Sequence, residues 1–126
     1  MMREEVLDTW TQAKEDYITA EQLIGIQRYY ASVFFSQQAA EKALKALYIH
    51  QLKRNPRTHN LVKLSRSLKA PEEVLDAALE LNPEYAVTRY VNAAHGVPAH
   101  MFNKKLARIH LECAEVVLQW IEKQLK

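Results

Sequence analysis

Apolar residues recur at helical spacing along almost the whole chain, and no segment alternates with period two long enough to make a strand. The first stripe is Val6, Trp10, Ala13, Tyr17, Ala20 and Ile24, spaced 4, 3, 4, 3, 4, and it predicts a helix from about Arg3 to Ile24. Gly25 follows, and glycine is the residue best suited to a left-handed helix end, so the helix is expected to stop there. A second helix is predicted from about Tyr29 to Lys53. It has Val33, Ala40, Leu44 and Leu47 on one stripe, Gln37 interrupting it, and Asn55-Pro56 ending it, because the residue before proline is pushed out of helical geometry.

Three further helices follow. A short one begins after Thr58, a plausible N-cap, with Leu61, Leu64 and Leu68 inward. Pro71-Glu72-Glu73 opens a fourth, since proline loses nothing in a first turn and acids complement the helix dipole there. Its apolar side is Val74, Leu75, Ala78 and Leu79, and Pro83 closes it. The last starts near Pro98 or Ala99 and repeats the first stripe's spacing with Phe102, Leu106, Ile109, Cys113, Val116 and Trp120. The expected fold is all-α, an up-and-down bundle of three long and two short helices. Trp10, Tyr17, Leu44, Leu47, Ile109 and Trp120 are its expected core.

Composition narrows the class. A chain of 126 residues fits one domain, 1–126, that buries about two-thirds of its unfolded surface. A content of 48% hydrophobic and 25% charged residues argues against disorder. No apolar run approaches the roughly 20 residues of a membrane span, and the start of the chain lacks a signal peptide's apolar core, so a cytoplasmic location is expected. A single cysteine, Cys113, allows no internal disulfide and no zinc ligand set; on an apolar stripe it reads as an inert thiol.

The net charge of +2 hides an asymmetry. Gln51 to Ala70 holds no acid against Lys53, Arg54, Arg57, Lys63, Arg66 and Lys69. Tyr85 to Leu111 again holds none, against Arg89, Lys104, Lys105, Arg108 and three histidines. Folded onto one face, these windows would attract a nucleotide or an RNA backbone; on separate faces they are solvated surface. Inside the second window, Arg89, Tyr90, Asn92, His95 and His100 crowd one helical break just before Lys104. These six residues are the candidate anion site. No acid accompanies the histidines, so no metal site is expected, and no cofactor is implied. His59, at the start of the third helix, reads as capping or packing. Lys42 and Lys45, beside Glu41, read as exposed surface of the second helix, and Arg89 can alternatively anchor its loop to Glu84.

The second helix also carries Gln37-Gln38-Ala39-Ala40-Glu41-Lys42-Ala43-Leu44-Lys45-Ala46, with alanines where backbones can approach closely and glutamines that need hydrogen-bond partners if buried. That run, then Thr58-His59-Asn60-Leu61, then Tyr85 and Arg89-Tyr90, resembles the HEPN domain from about Val6 to Glu122. The resemblance implies a helical bundle that commonly forms a homodimer, with a nucleotide- or RNA-binding cleft near the subunit interface. Many members are metal-independent ribonucleases, and stand-alone members are often paired with a small nucleotidyltransferase as toxin and antitoxin. The ribonuclease members share an arginine followed by a histidine at the spacing shown here by Arg89 and His95.

Such a pair suits RNA cleavage. Histidine titrates near neutrality and can move the 2′-hydroxyl proton, an effect worth roughly 10²- to 10⁴-fold, while arginine holds two phosphate oxygens with its planar fork. Many stand-alone members carry Arg-Tyr-Pro-Asp where this chain reads Arg89-Tyr90-Val91-Asn92. That departure ranks an anion site first and a ribonuclease site second.

Overall fold

Three long helices, packed side by side, form the body of the molecule. The computed structural model of the chain describes residues 2–126. The long helices are α1 (Glu4–Gly25), α2 (Tyr29–Leu52) and α7 (Lys104–Leu125). Between α2 and α7 lie α3 (Leu61–Ser67) and α4 (Glu72–Leu81), the one-turn helices α5 (Glu84–Val87) and α6 (Val91–Ala94), and a 3₁₀ turn at Pro98–His100. No strand occurs among the described residues, as expected for an all-helical bundle.

The helix α2 sits at the centre, packed on both α1 and α7. More than half its residues are buried, and Ala39, Ala40, Ala43 and Ala46 are wholly so, which lets neighbouring backbones come close. Around them Val6, Trp10, Leu44, Leu47, Leu61, Leu81, Val117 and Ile121 form one core. The helix α4 leans on α7, and α3 packs on α4 and α2. No helix among the described residues is long and apolar enough to cross a membrane.

Several expected boundaries move, each for a local reason. Gly25 stays helical, and the left-handed residue is Gln27, at φ 62°. There the Gln27 amide donates to the Ile24 carbonyl and the Arg28 amide to Leu23, the paired bonds that close a Schellman end. Lys53, also left-handed, ends α2 before Asn55-Pro56 can act. The N-cap of α3 is Asn60, whose side chain accepts from the Lys63 amide, and Thr58 instead accepts from the Asn60 amide. Asn103 caps α7 by accepting from the Leu106 amide, so the helix begins at Lys104 and Pro98–His100 forms its separate turn.

Two stripes are rotated. On α4, Ala77 and Leu81 face inward and Leu79 is 56% exposed. On α7 the fully packed line is Ala107, His110, Ala114, Val117 and Ile121, while Leu106, Ile109, Cys113, Val116 and Trp120 are only partly covered. Tyr17, Ile109 and Trp120 are therefore rim rather than core. The rotation has a physical origin: alanines at 107 and 114 admit α2 at close range, and bulkier neighbours are displaced to the side.

Candidate functional site

On α2, Phe34, Gln37, Glu41 and Lys45 fall at helical spacing on one side, and His59, Tyr85 and Arg89 pack against them. Glu41 is the hub. Its carboxylate accepts from Gln37 Nε2 at 2.9 Å, Lys45 Nζ at 2.9 Å and His59 Nδ1 at 2.8 Å, with its side chain only 6% exposed. Burial pushes its pKa up, but bonds from Lys45, Gln37 and His59 outweigh that and hold the carboxyl below its ordinary range. Gln37, fully buried, is satisfied at both ends, because its carbonyl also accepts from Gln38 at 2.7 Å. An ionised carboxylate only accepts hydrogen bonds, so His59 carries its proton on Nδ1.

Beyond His59 runs a stack of flat groups. The imidazole lies on the Tyr85 ring, with centroids 4.1 Å apart and planes 14° from parallel. The Arg89 guanidinium sits 4.4 Å from the Tyr85 centroid and 4.7 Å from that of Phe34. Ring contacts of this kind hold the cation without using its N–H groups as donors to a carboxylate. Arg89 is exposed and has no carboxylate partner among the described residues.

Glu84, the acid adjacent to this stack in sequence, is already engaged. Its carboxylate lies 2.8 Å from His110 Nε2, and His110 Nδ1 lies 2.7 Å from the Leu106 carbonyl. Both ring nitrogens thus face acceptors, which favours the doubly protonated imidazolium. Burial lowers the His110 pKa, but the Glu84 and Leu106 bonds, with the charges of Glu84 and Glu80, raise it above the usual value. The pair ties α5, and with it Tyr85, to α7.

The remaining sequence-predicted residues lie on the segment that follows Arg89. Tyr90 is 50% exposed, Asn92 is exposed on α6, and His100 and Lys104 are exposed at the 3₁₀ turn and the start of α7. His95 is exposed with φ 56°, and the Gly96 amide donates to the Val91 carbonyl, so His95 fills the left-handed slot that ends α6. No hydrogen bond or ion pair joins Arg89 to Asn92, His95, His100 or Lys104 among the described residues. No group of three or more His, Cys, Asp or Glu there could hold a metal ion.

A groove lies elsewhere. It spans about 660 Å³ between α4 and α7, with Ala77, Ile109, Cys113 and Val116 on its floor and Glu73, Asp76, Glu80 and Glu112 at its rim. Four carboxylates and no base among its lining residues make it repel phosphate. Burial, Glu80 and Glu112 push the Cys113 thiol up to about 11, leaving it unreactive near neutral pH.

Residues 6–124 match the model of the HEPN domain. The chain belongs to the HEPN family. Its backbone is similar to that of ST0689, an archaeal HEPN homologue, at 31% identity over 100% of both chains and a TM-score of 0.85. TT1696 from Thermus thermophilus is 28% identical over 96% of this chain and 98% of its own, with a TM-score of 0.88. The HEPN domain protein tm0613 from Thermotoga maritima is 25% identical over 94% and 97%, with a TM-score of 0.73. A comparison with proteins of curated function gives no match.

Within this HEPN chain, three sequence expectations are corrected. Glu41 is buried rather than surface, and Lys42 and Lys45 are half-buried partners of Asp16 and Glu41. Of the two roles read for His59, packing holds, on the Tyr85 ring, and capping does not, because Asn60 is the cap. Arg89 is anchored by aromatic rings and not by Glu84, which His110 occupies. Phe34, Glu41, His59 and Tyr85 are the site residues that sequence reasoning did not assign. The signal for them was the Gln37-Glu41-Lys45 spacing across a buried stripe, which demands a polar partner from another element.

Proposed function

We propose that this HEPN protein binds the phosphates of single-stranded RNA through the Arg89 surface, and acts in the cytoplasm as a homodimer. The observation that carries the reading is an exposed guanidinium lying over two aromatic rings, with no carboxylate partner among the described residues, in an acid-free stretch of the chain. Exposed Tyr90 beside it offers a face on which a base can stack. His95, His100 and Lys104 are exposed nearby in sequence and add positive or titratable groups. A free nucleotide presents the same phosphate chemistry. The family's pairing with a small nucleotidyltransferase makes such a protein the expected partner. Metal-independent RNA cleavage by a toxin, with Arg89 holding the phosphate that is cut, is the finer form of the reading.

Fluorescence anisotropy with a labelled single-stranded RNA at low salt tests the core claim. Arg89→Ala is expected to weaken binding about 10- to 100-fold, the worth of about 1.5–3 kcal/mol for a charge-assisted contact. Arg89→Lys should recover only part, since lysine keeps the charge without the fork. Unchanged affinity in Arg89→Ala would remove Arg89 from the site.

The homodimer is supported by the part-covered stripe of α7 and the acid-rimmed groove beside it. A second copy laid antiparallel would bring its Lys104, Lys105 and Arg108 toward Glu112 and the acids of α4, a self-complementary arrangement. Light scattering should therefore give the mass of a dimer for the wild type and of a monomer for Ile109→Glu. A monomeric wild type, or a dimer indifferent to Ile109→Glu, contradicts this interface.

A further inference from the structure

We propose that His59, oriented by Glu41, is a catalytic base of the Arg89 site, removing the 2′-hydroxyl proton of a bound RNA strand. The proposal rests on the RNA-binding reading above and adds to it a residue outside the arginine–histidine motif. Three features of the structure carry it. The first is orientation: a buried, ionised carboxylate holds Nδ1–H at 2.8 Å and so fixes both tautomer and ring direction. The second is availability. The His59 side chain is 53% exposed, and Nε2, which bears the lone pair of the neutral ring, has no partner among the described residues. The third is position, since His59 and the Arg89 guanidinium both lie against the Tyr85 ring, 4.1 Å and 4.4 Å from its centroid.

His95 has none of this support. Among the described residues no side chain hydrogen-bonds to it, and its backbone conformation is accounted for by the end of α6.

The step balances without any added reagent. His59 Nε2 takes the proton from the ribose 2′-oxygen, whose electron pair forms a new bond to the adjacent phosphorus. The bond from phosphorus to the 5′-oxygen breaks, and that oxygen leaves with the electron pair and takes a proton from water. The imidazolium then returns its proton to solvent. Arg89 neutralises the charge that builds on the phosphate oxygens during the exchange. The products are a 2′,3′-cyclic phosphate and a 5′-hydroxyl end.

The test incubates the full chain with end-labelled single-stranded RNA in EDTA and measures, on the same samples, cyclic-phosphate ends and RNA affinity. His59→Asn keeps an N–H for Glu41 but has no base. It is expected to lower cleavage at least about 100-fold while leaving affinity near that of the wild type. His59→Ala should lose cleavage similarly and regain part of it when imidazole is added to the buffer, which a purely structural role would not allow. Glu41→Gln, a change at a positioning residue, should lower kcat with little change in KM. Cleavage by His59→Asn at the wild-type rate overturns the proposal, as does cleavage that follows His95 instead. RNA binding without any wild-type cleavage overturns it too, while leaving the Arg89 reading intact. Binding indifferent to Arg89→Ala removes that reading itself.

Discussion

Replacing Glu41 with leucine is expected to lower stability by about 3 kcal/mol, read as a drop of roughly 10 °C in Tm. Gln37 is fully buried and its amide N–H has no other acceptor among the described residues, so orphaning it costs about 1–3 kcal/mol. The charge-assisted bonds from Lys45 and His59 are lost as well, at a discount, because both side chains can turn to water. Leucine has nearly the right volume, which confines the loss to polar terms. Glu41→Gln should recover most of the stability, since an amide oxygen still accepts from Gln37. Equal melting temperatures for wild type and Glu41→Leu would show that the network does not hold the bundle together.

His110→Leu is expected to be at least as damaging, because it strands Glu84 under α7 with no counter-charge. Removing one member of a buried pair typically costs about 3–5 kcal/mol. The pair also gives the stability a pH dependence of definite sign. The His110 pKa is raised in the folded state, so the stabilisation is fully present below the ordinary imidazole range and is lost as pH rises through the raised value. Urea denaturation at a series of pH values should therefore show the wild type weakening as pH rises above the ordinary imidazole range. His110→Leu should be less stable throughout and should lack that loss. A parallel pH dependence in the two proteins would place the titrating group elsewhere. Because Glu84 precedes Tyr85, the same change should loosen the Arg89 stack and weaken RNA binding.

The bundle was readable because helical periodicity survives on both sides of every break. Val6, Trp10, Ala13 and Ala20 on α1, and Val33, Ala40, Leu44 and Leu47 on α2, are buried as their spacing predicts. On α7 the same rule selected a stripe one residue away from the packed one, because the largest apolar side chains there flank the contact and alanines make it. Burial depends on which face a neighbour occupies, and that is a property of the assembled fold. The one-turn helices α5 and α6 are too short to show a period at all. Arg89 stands out as a base in an acid-free window, yet its nearest acid in sequence, Glu84, is not its anchor. The pairing of Glu84 with His110 spans two elements and leaves no local trace. Glu41 and His59 escape notice for the same reason: each looks ordinary in its own segment, and their meeting is tertiary. Only the glutamine in the apolar stripe of α2 announces that something polar has to reach it.

The central claim is that the Arg89 stack, and not the acidic groove between α4 and α7, receives phosphate. Nuclear magnetic resonance on nitrogen-15-labelled protein, titrated with a short single-stranded RNA, tests it most directly. The predicted result is movement of the Arg89 side-chain N–H signal and of the amides of Tyr90, Asn92 and His95, with Glu73, Asp76 and Glu112 unmoved. Shifts confined to the acidic groove, or an Arg89 signal that stays fixed at saturating RNA, would contradict it.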